Sequence, residues 1–459
     1  GSGQNYSMII SALADVPRHE RGAGLYVNPD HLAGLLEIVG ILGVSIAAWS
    51  RWPSWARVVV AYLTGLCYLG HALTGSRGGY LSSAISIGAF GVLSLIVLRA
   101  AGTARLLKTG AISFGLLVAA VASVWFVIQR TPALSARAAN TFTIDQGRID
   151  LWRAAIEQWR LSPLFGTGSG TYLFYGRLFR APALQLDPVD VHNDYLHLLC
   201  EYGLIGAALF AVFLVVHLRA GWRTYVSFGY CRVQGGALLR SNRVALSIAA
   251  LSAFAAYAVH SLVDFNLHIP ANALLVAFIF GTLANSGDTA AAPATSPTFF
   301  AVARYAAVAL ALIVLVQSVR LWPGEASVEA ARVALRDENP KLALAQAREA
   351  ARRDDRNPLA FFYLGRALAA IGNRQKTVPE RTTFFEEAVA TFDQARLLSP
   401  MDAAYPLELA RLYDFMGRYE EAEWMFFLAR ARDPRSENVQ ARYEYHLNLW
   451  RDPESQTPR

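Results

Sequence analysis

Arg77, Arg148 and His192 are the side chains of this sequence best suited to chemistry, and they sit in TGSRGG, GRIDLW and VHNDYL. An arginine is a permanently charged planar fork that takes phosphate through paired hydrogen bonds, and the glycines around Arg77 let a ligand approach the backbone. A histidine titrates near neutrality and suits a general base. Each also has a plainer reading: Arg77 could snorkel to lipid headgroups, Arg148 could be an ordinary interfacial arginine, and His192 could be structural. Between Arg148 and His192 lies PLFGTGSGTY, which lacks the Lys-Ser/Thr ending of a phosphate loop. Ser169 is not centred in G-x-S-x-G either, so the cluster reads as a sharp turn. Asn193 and Asp194 can cap a following helix. No HExxH, DxD or second His/Cys/carboxylate set at ligand spacing occurs, so neither a catalytic metal nor a cofactor is expected.

The elements that must hold these residues are membrane helices. Of 459 residues 54% are hydrophobic and 17% charged, with a mean hydropathy of +0.29, too apolar for an ordinary soluble chain of this size. Eight stretches approach the length of a span: 31–48, 57–75, 79–98, 110–129, 202–219, 244–260, 271–286 and 299–319, the seventh short enough to be re-entrant. Arg51 and Arg57, then Arg99, Arg105 and Lys108, then the arginines from Arg219 to Arg243 fall in connections separated by even numbers of spans. The positive-inside rule makes all three cytoplasmic. The connections with Arg21 and Asn28, with Arg77, with the polar segment 130–201, and with His260 and Asp264 then share the opposite face. His260 and Asp264, in VHSLVDFNLHIP, could pair with each other to orient the bundle. The other spans are expected to keep ionisable residues at their ends, which disfavours a transporter. The net charge of +7 is used in setting orientation, and nucleic-acid binding is not expected. Cys67, Cys200 and Cys231 are far apart and read as inert packing residues. The opening GSGQNYSM shows no initiator Met or signal peptide, and the natural beginning is expected to lie further upstream.

Beyond residue 320 the composition turns rich in Arg, Glu and Asp. Leu409, Ala410, Tyr413, Gly417, Tyr419, Ala422, Phe426, Ala429 and Pro434 occupy the positions of a tetratricopeptide repeat, and Pro400 precedes Pro434 by one 34-residue period. An earlier copy, with an insertion around NRQKTVPER, has Gly365, Gly372, Ala388 and Phe392 in place. The expected division is an outward-facing, truncated segment 1–30, a membrane domain 31–320 carrying the loop 130–201, and an α-solenoid 325–459. Repeats report stacking and a concave surface for docking, and name no reaction.

The order TGSRGG, GRIDLWRAAIEQWRLSPLFGTGSGTY, HNDYLHLLCEYGLIGA resembles the bacterial O-antigen ligase and O-antigen polymerase superfamily of membrane glycosyltransferases, over about residues 21–286. The resemblance implies an all-α, GT-C-like polytopic bundle in the inner membrane with a large periplasmic loop. It implies inverting, metal-independent transfer of a glycan from undecaprenyl diphosphate to an acceptor hydroxyl, with no nucleotide. Arg77 and Arg148 would hold the diphosphate and His192 would act at the acceptor or leaving group, with Asn193 and Arg21 as further substrate contacts. Lipid A-core, a growing polysaccharide or a protein hydroxyl are the acceptors it allows, with membrane lipid around the donor and a protein partner at the repeats. Family members have several spans before the point where this sequence begins, and the repeat tail is absent from the plain lipopolysaccharide ligases. The competing reading is a non-enzymatic scaffold in which the membrane domain anchors the repeats for a polysaccharide export complex.

Overall fold

A computed structural model describes residues 21–26, 28–99, 130, 135, 145–229, 240–285 and 297–451. Among them are fifteen α-helices and no strand. The chain divides into one unit of residues 1–172 and 189–291 and a second of residues 173–188 and 292–459. The expected boundary near residue 320 thus differs in two places: the short segment 173–188 and the last apolar helix both group with the second unit.

In the first unit the helices are α1 (Pro29–Trp49), α2 (Ser54–Thr74), α3 (Arg77–Arg99), α4 (Gln146–Leu161), α6 (Asp194–Gly229), α7 (Asn242–His260) and α8 (Pro270–Ala284). α5 (Tyr172–Leu178) begins on its last residue before the segment that joins the second unit. Local chemistry sets the starts: the Asn28 side chain accepts from the Asp30 backbone N–H with Pro29 in the first turn, and Ser241 caps α7. Gly75, left-handed at φ 63°, closes α2 and turns the chain into α3. α7 packs against α1, α3 and α8. The core joins Ile38 and Ile41 of α1, Leu93 of α3, Ile248 and Tyr257 of α7, and Ile279 and Leu283 of α8. α2 and α6 instead expose Val58, Leu63, Leu209, Val212 and Val216, as helices facing hydrocarbon do.

Five helices of this unit are long and apolar enough to cross a membrane, and a sixth begins at Ala301 in the second. α8, with 15 residues, is shorter, as its sequence indicated. The expected span 110–129 lies outside the described residues, as do most of segment 1–30, the beginning of the polar loop and Cys231.

The second unit runs through α9 (Pro297–Arg336), α10 (Pro340–Arg353), α11 (Pro358–Gly372), α12 (Val378–Leu398), α13 (Ala404–Phe415), α14 (Tyr419–Arg432) and α15 (Glu437–Arg451). α9 continues from its apolar half through Pro323 into the charged half without a break. Each helix packs on the next. Small residues make that approach possible: Ala343, Ala347, Ala367, Ala388, Ala410, Ala422 and Ala429 are all fully buried. The segment 173–188 folds onto the same unit through charge. Arg177 donates to Asp402 at 2.7 Å, and Arg180 meets Asp433 with two hydrogen bonds of 3.0 and 2.9 Å.

Candidate functional site

The polar groups of the first unit converge at one end of the bundle, where α1 and α3 begin and α2 and α7 end. Arg77 is the first residue of α3, and Arg148 lies in the first turn of α4, whose cap is the Asp145 carboxylate accepting from Gly147 N–H at 3.0 Å. Separated by 71 positions of sequence, both line one cavity of about 120 Å3, together with Asp30, Asp145, His260 and Asp264. The acids there are engaged by the protein. Asp30 accepts from Arg21 at 2.5 Å and lies 3.7 Å from the Arg148 guanidinium, Asp145 caps α4, and Asp264 faces His192. Arg21 also donates to the Thr74 carbonyl at 2.6 Å, which ties it to the end of α2. It reaches the cavity only through Asp30.

His192 precedes α6 in a left-handed conformation, φ 53°, that a side chain adopts at a cost of about 1 kcal/mol and keeps only when its surroundings enforce it. The enforcement is visible on both sides. Its carbonyl accepts from the Trp152 indole at 3.3 Å, its ring stands edge-on to Phe265 at 4.7 Å, and its Nδ1 lies 3.3 Å from Asp264 Oδ1. Burial alone would raise the Asp264 carboxyl, but the hydrogen bond with His192 and the adjacent His260 and His31 rings hold it well below the usual carboxylate range. Asn193 is buried and its amide oxygen accepts from the Tyr195 and Leu196 N–H groups, so it serves as the cap of α6.

The glycine cluster forms a turn packed against α6. Thr167 and Gly168 N–H donate to the Cys200 and Glu201 carbonyls, and Leu204 and Ile205 N–H donate back to Pro163 and Leu164. Gly166 and Gly203 make this possible: both are left-handed, and a Cβ on either would lie within about 2.5 Å of the opposing backbone. The resulting kink of α6 at Gly203 brings the loop and the start of α6 together.

Three features escaped the sequence. Glu37, in the interior of α1, is 1% exposed, accepts from the Ser82 hydroxyl, and faces His260 Nδ1 at 3.0 Å. The expectation that spans keep ionisable groups at their ends therefore fails at Glu37, and a lone acid in GLLEIVG was the available signal. His260 and Asp264 do approach each other, at 3.8 Å, but the closer partner of His260 is Glu37. The fold also gathers Asp190, His197 and His268, with ligand-type atoms within 4.8 Å of one another, a set drawn from separate segments that spacing could not reveal. Its two imidazoles stack at 4.2 Å and 17°, so their in-plane lone pairs run side by side and do not converge on one point. Glu201 and Asp194 each take one of the two rings, at 3.4 and 3.3 Å.

Helices of spanning length with their polar side chains gathered at one end define a multi-pass membrane protein. Residues 62–211 match the family model described as O-Antigen ligase, a stretch that contains Arg77, Arg148, the glycine turn and His192 and leaves Asp30, Glu37, His260 and Asp264 outside. The match supports the O-antigen ligase superfamily and a membrane glycosyl-transfer activity. No curated protein matches the chain.

Proposed function

We propose that the protein transfers a glycan from undecaprenyl diphosphate to an acceptor hydroxyl at the periplasmic face of the bacterial inner membrane, by one inverting displacement without a metal ion. The acceptor oxygen bonds to the anomeric carbon as the carbon–oxygen bond to the diphosphate breaks. The diphosphate leaves with the electron pair, and the acceptor proton passes to His192. Arg77 and Arg148 stabilise the charge that develops on the leaving group, and fixed guanidinium donors do so without reorganising at the moment of reaction. Asp264 holds the His192 ring and the cation that forms on it. The observation that carries this reading is that Arg77 and Arg148 line one cavity whose wall includes Asp264, the partner of His192. Lipid A-core, a growing polysaccharide or a protein hydroxyl is the acceptor, presented or recruited by the helical repeats of the second unit.

The test is transfer by the purified full-length chain from undecaprenyl-diphosphate glycan to each acceptor in turn. Arg148→Ala is expected to lower the rate by about 100-fold or more, the range for removing one transition-state donor. His192→Ala is expected to lower it by about 100- to 10,000-fold. Folded variants that transfer at the wild-type rate would sink the proposal.

A further inference from the structure

The helix bundle carries a buried acid that the transfer chemistry above does not use. Glu37 and His260 are each 1% exposed, and so is Asp264. The contacts form a line: Ser82 hydroxyl to Glu37, Glu37 Oε1 to His260 Nδ1 at 3.0 Å, His260 Nε2 to Asp264 Oδ2 at 3.8 Å, and Asp264 Oδ1 to His192 Nδ1 at 3.3 Å. The far ends of the line lie on α1 and at the start of α6. An acid two turns inside an apolar helix carries a heavy desolvation penalty unless it is paired, and a helix needs no such group in order to pack. Asp264 Oδ1 serves His192, with the Phe265 N–H donating to the same oxygen at 3.0 Å and His31 Nε2 3.9 Å from it, while Oδ2 faces the His260 ring; neither His260 Nε2 nor Asp264 Oδ2 has a hydrogen-bond partner, which leaves each to the other's field.

We infer that Glu37 and His260 are positioning residues for His192, acting through Asp264. Glu37 fixes the His260 ring with its Nδ1 toward α1, which turns Nε2 toward Asp264 and supplies that carboxylate with a facing imidazole. Asp264 is then held with Oδ1 directed at His192. The inference rests on the proposed transfer for its kinetic consequence but not for its chemical one, so the two can fail separately.

Glu37→Gln keeps the side-chain volume and an acceptor oxygen but removes the charge. In the full-length protein it is expected to lower kcat roughly tenfold, the size of one lost charge-assisted hydrogen bond, with KM for the lipid-linked donor unchanged because both arginines stay in place. Glu37→Asp should recover part of the loss. A second readout needs no substrate: modification of His192 by diethyl pyrocarbonate, followed residue by residue by mass spectrometry. It should quicken in Glu37→Gln, since an Asp264 carboxylate no longer fixed against Nδ1 leaves the His192 ring more open to the reagent. His260→Gln should have the same two effects and replaces Glu37→Gln if that variant does not fold. Unchanged His192 reactivity in a folded variant overturns the inference, and so does a rise in donor KM that matches the fall in kcat. If the wild-type protein transfers no glycan but His192 reactivity still shifts, the proposed function fails and the positioning stands.

Discussion

Arg180 in the second unit and Arg148 in the first come from the same polar stretch of sequence, yet the fold treats them in opposite ways. The five N–H groups of Arg180 all find acceptors, in Asp433 twice, Asp187, and the Leu184 and Leu186 carbonyls, and its side chain is 2% exposed. Arg148 is 25% exposed on the wall of a cavity, and its nearest acid, Asp30, is 3.7 Å away and already engaged by Arg21. A guanidinium whose donors are all satisfied by the protein has none left for a ligand and acts as architecture. One held loosely beside a cavity has donors to offer a ligand, which is the role proposed for Arg148. Exposure and satisfaction, more than residue type, separate the two roles, and each role is open to a direct test.

The largest effect is expected at Arg180. Removing one partner of a buried ion pair leaves the other uncompensated, so Arg180→Ala should cost about 3–5 kcal/mol, read as earlier unfolding and faster hydrogen exchange in the second unit. Binding of undecaprenyl diphosphate per folded molecule should not change. Arg148→Ala should show the reverse: stability within about 0.5 kcal/mol of wild type and affinity for the same lipid lower by roughly tenfold to a hundredfold. If Arg148→Ala unfolds the first unit, or Arg180→Ala abolishes lipid binding by folded protein, the distinction collapses.

Much of this was legible where the signal is local. Apolar runs located six of the expected spans on helices long enough to cross, because hydrocarbon thickness sets a length that composition alone reveals. The small residues Ala410, Ala422 and Ala429, read from the sequence as places where helices approach closely, are fully buried. Arg77, Arg148 and His192 stood out as candidates because each lies in a distinctive motif, and the fold puts the two arginines on one cavity. Pairings across long separations were not legible: His192 with Asp264, 72 positions away, and Arg180 with Asp433, 253 away. Periodicity was also coarse in α4, where Ile149, Trp152, Ile156 and Trp159 recur at helical spacing and read as facing the bilayer or the core. The buried stripe is Leu151, Ala154, Ala155 and Gln158, and the tryptophans sit at its border with indole N–H groups donating to the His192 and Pro163 carbonyls. A half-buried aromatic with a polar edge satisfies that edge best at a border, which a binary apolar pattern does not register.

The smallest effect sharpens the same contrast through pH. Burial opposes charge on the His268 ring, but hydrogen bonding to Asp194, with Asp190 and Glu201 nearby, raises its proton affinity above the ordinary value in the folded protein. A group with a raised folded value contributes stability that is complete below its unfolded value, about 6.5, and is lost as pH rises through the folded one. The wild-type first unit should therefore melt lower as pH is raised above that point, while His268→Gln should remove this part of the slope. The ring is 40% exposed, so solvent screening keeps the change below those at either arginine. Parallel melting curves for wild type and His268→Gln between neutral and mildly alkaline pH would mean that the Asp194 contact is not maintained in solution, and that this polar cluster is held by ring stacking on His197 alone.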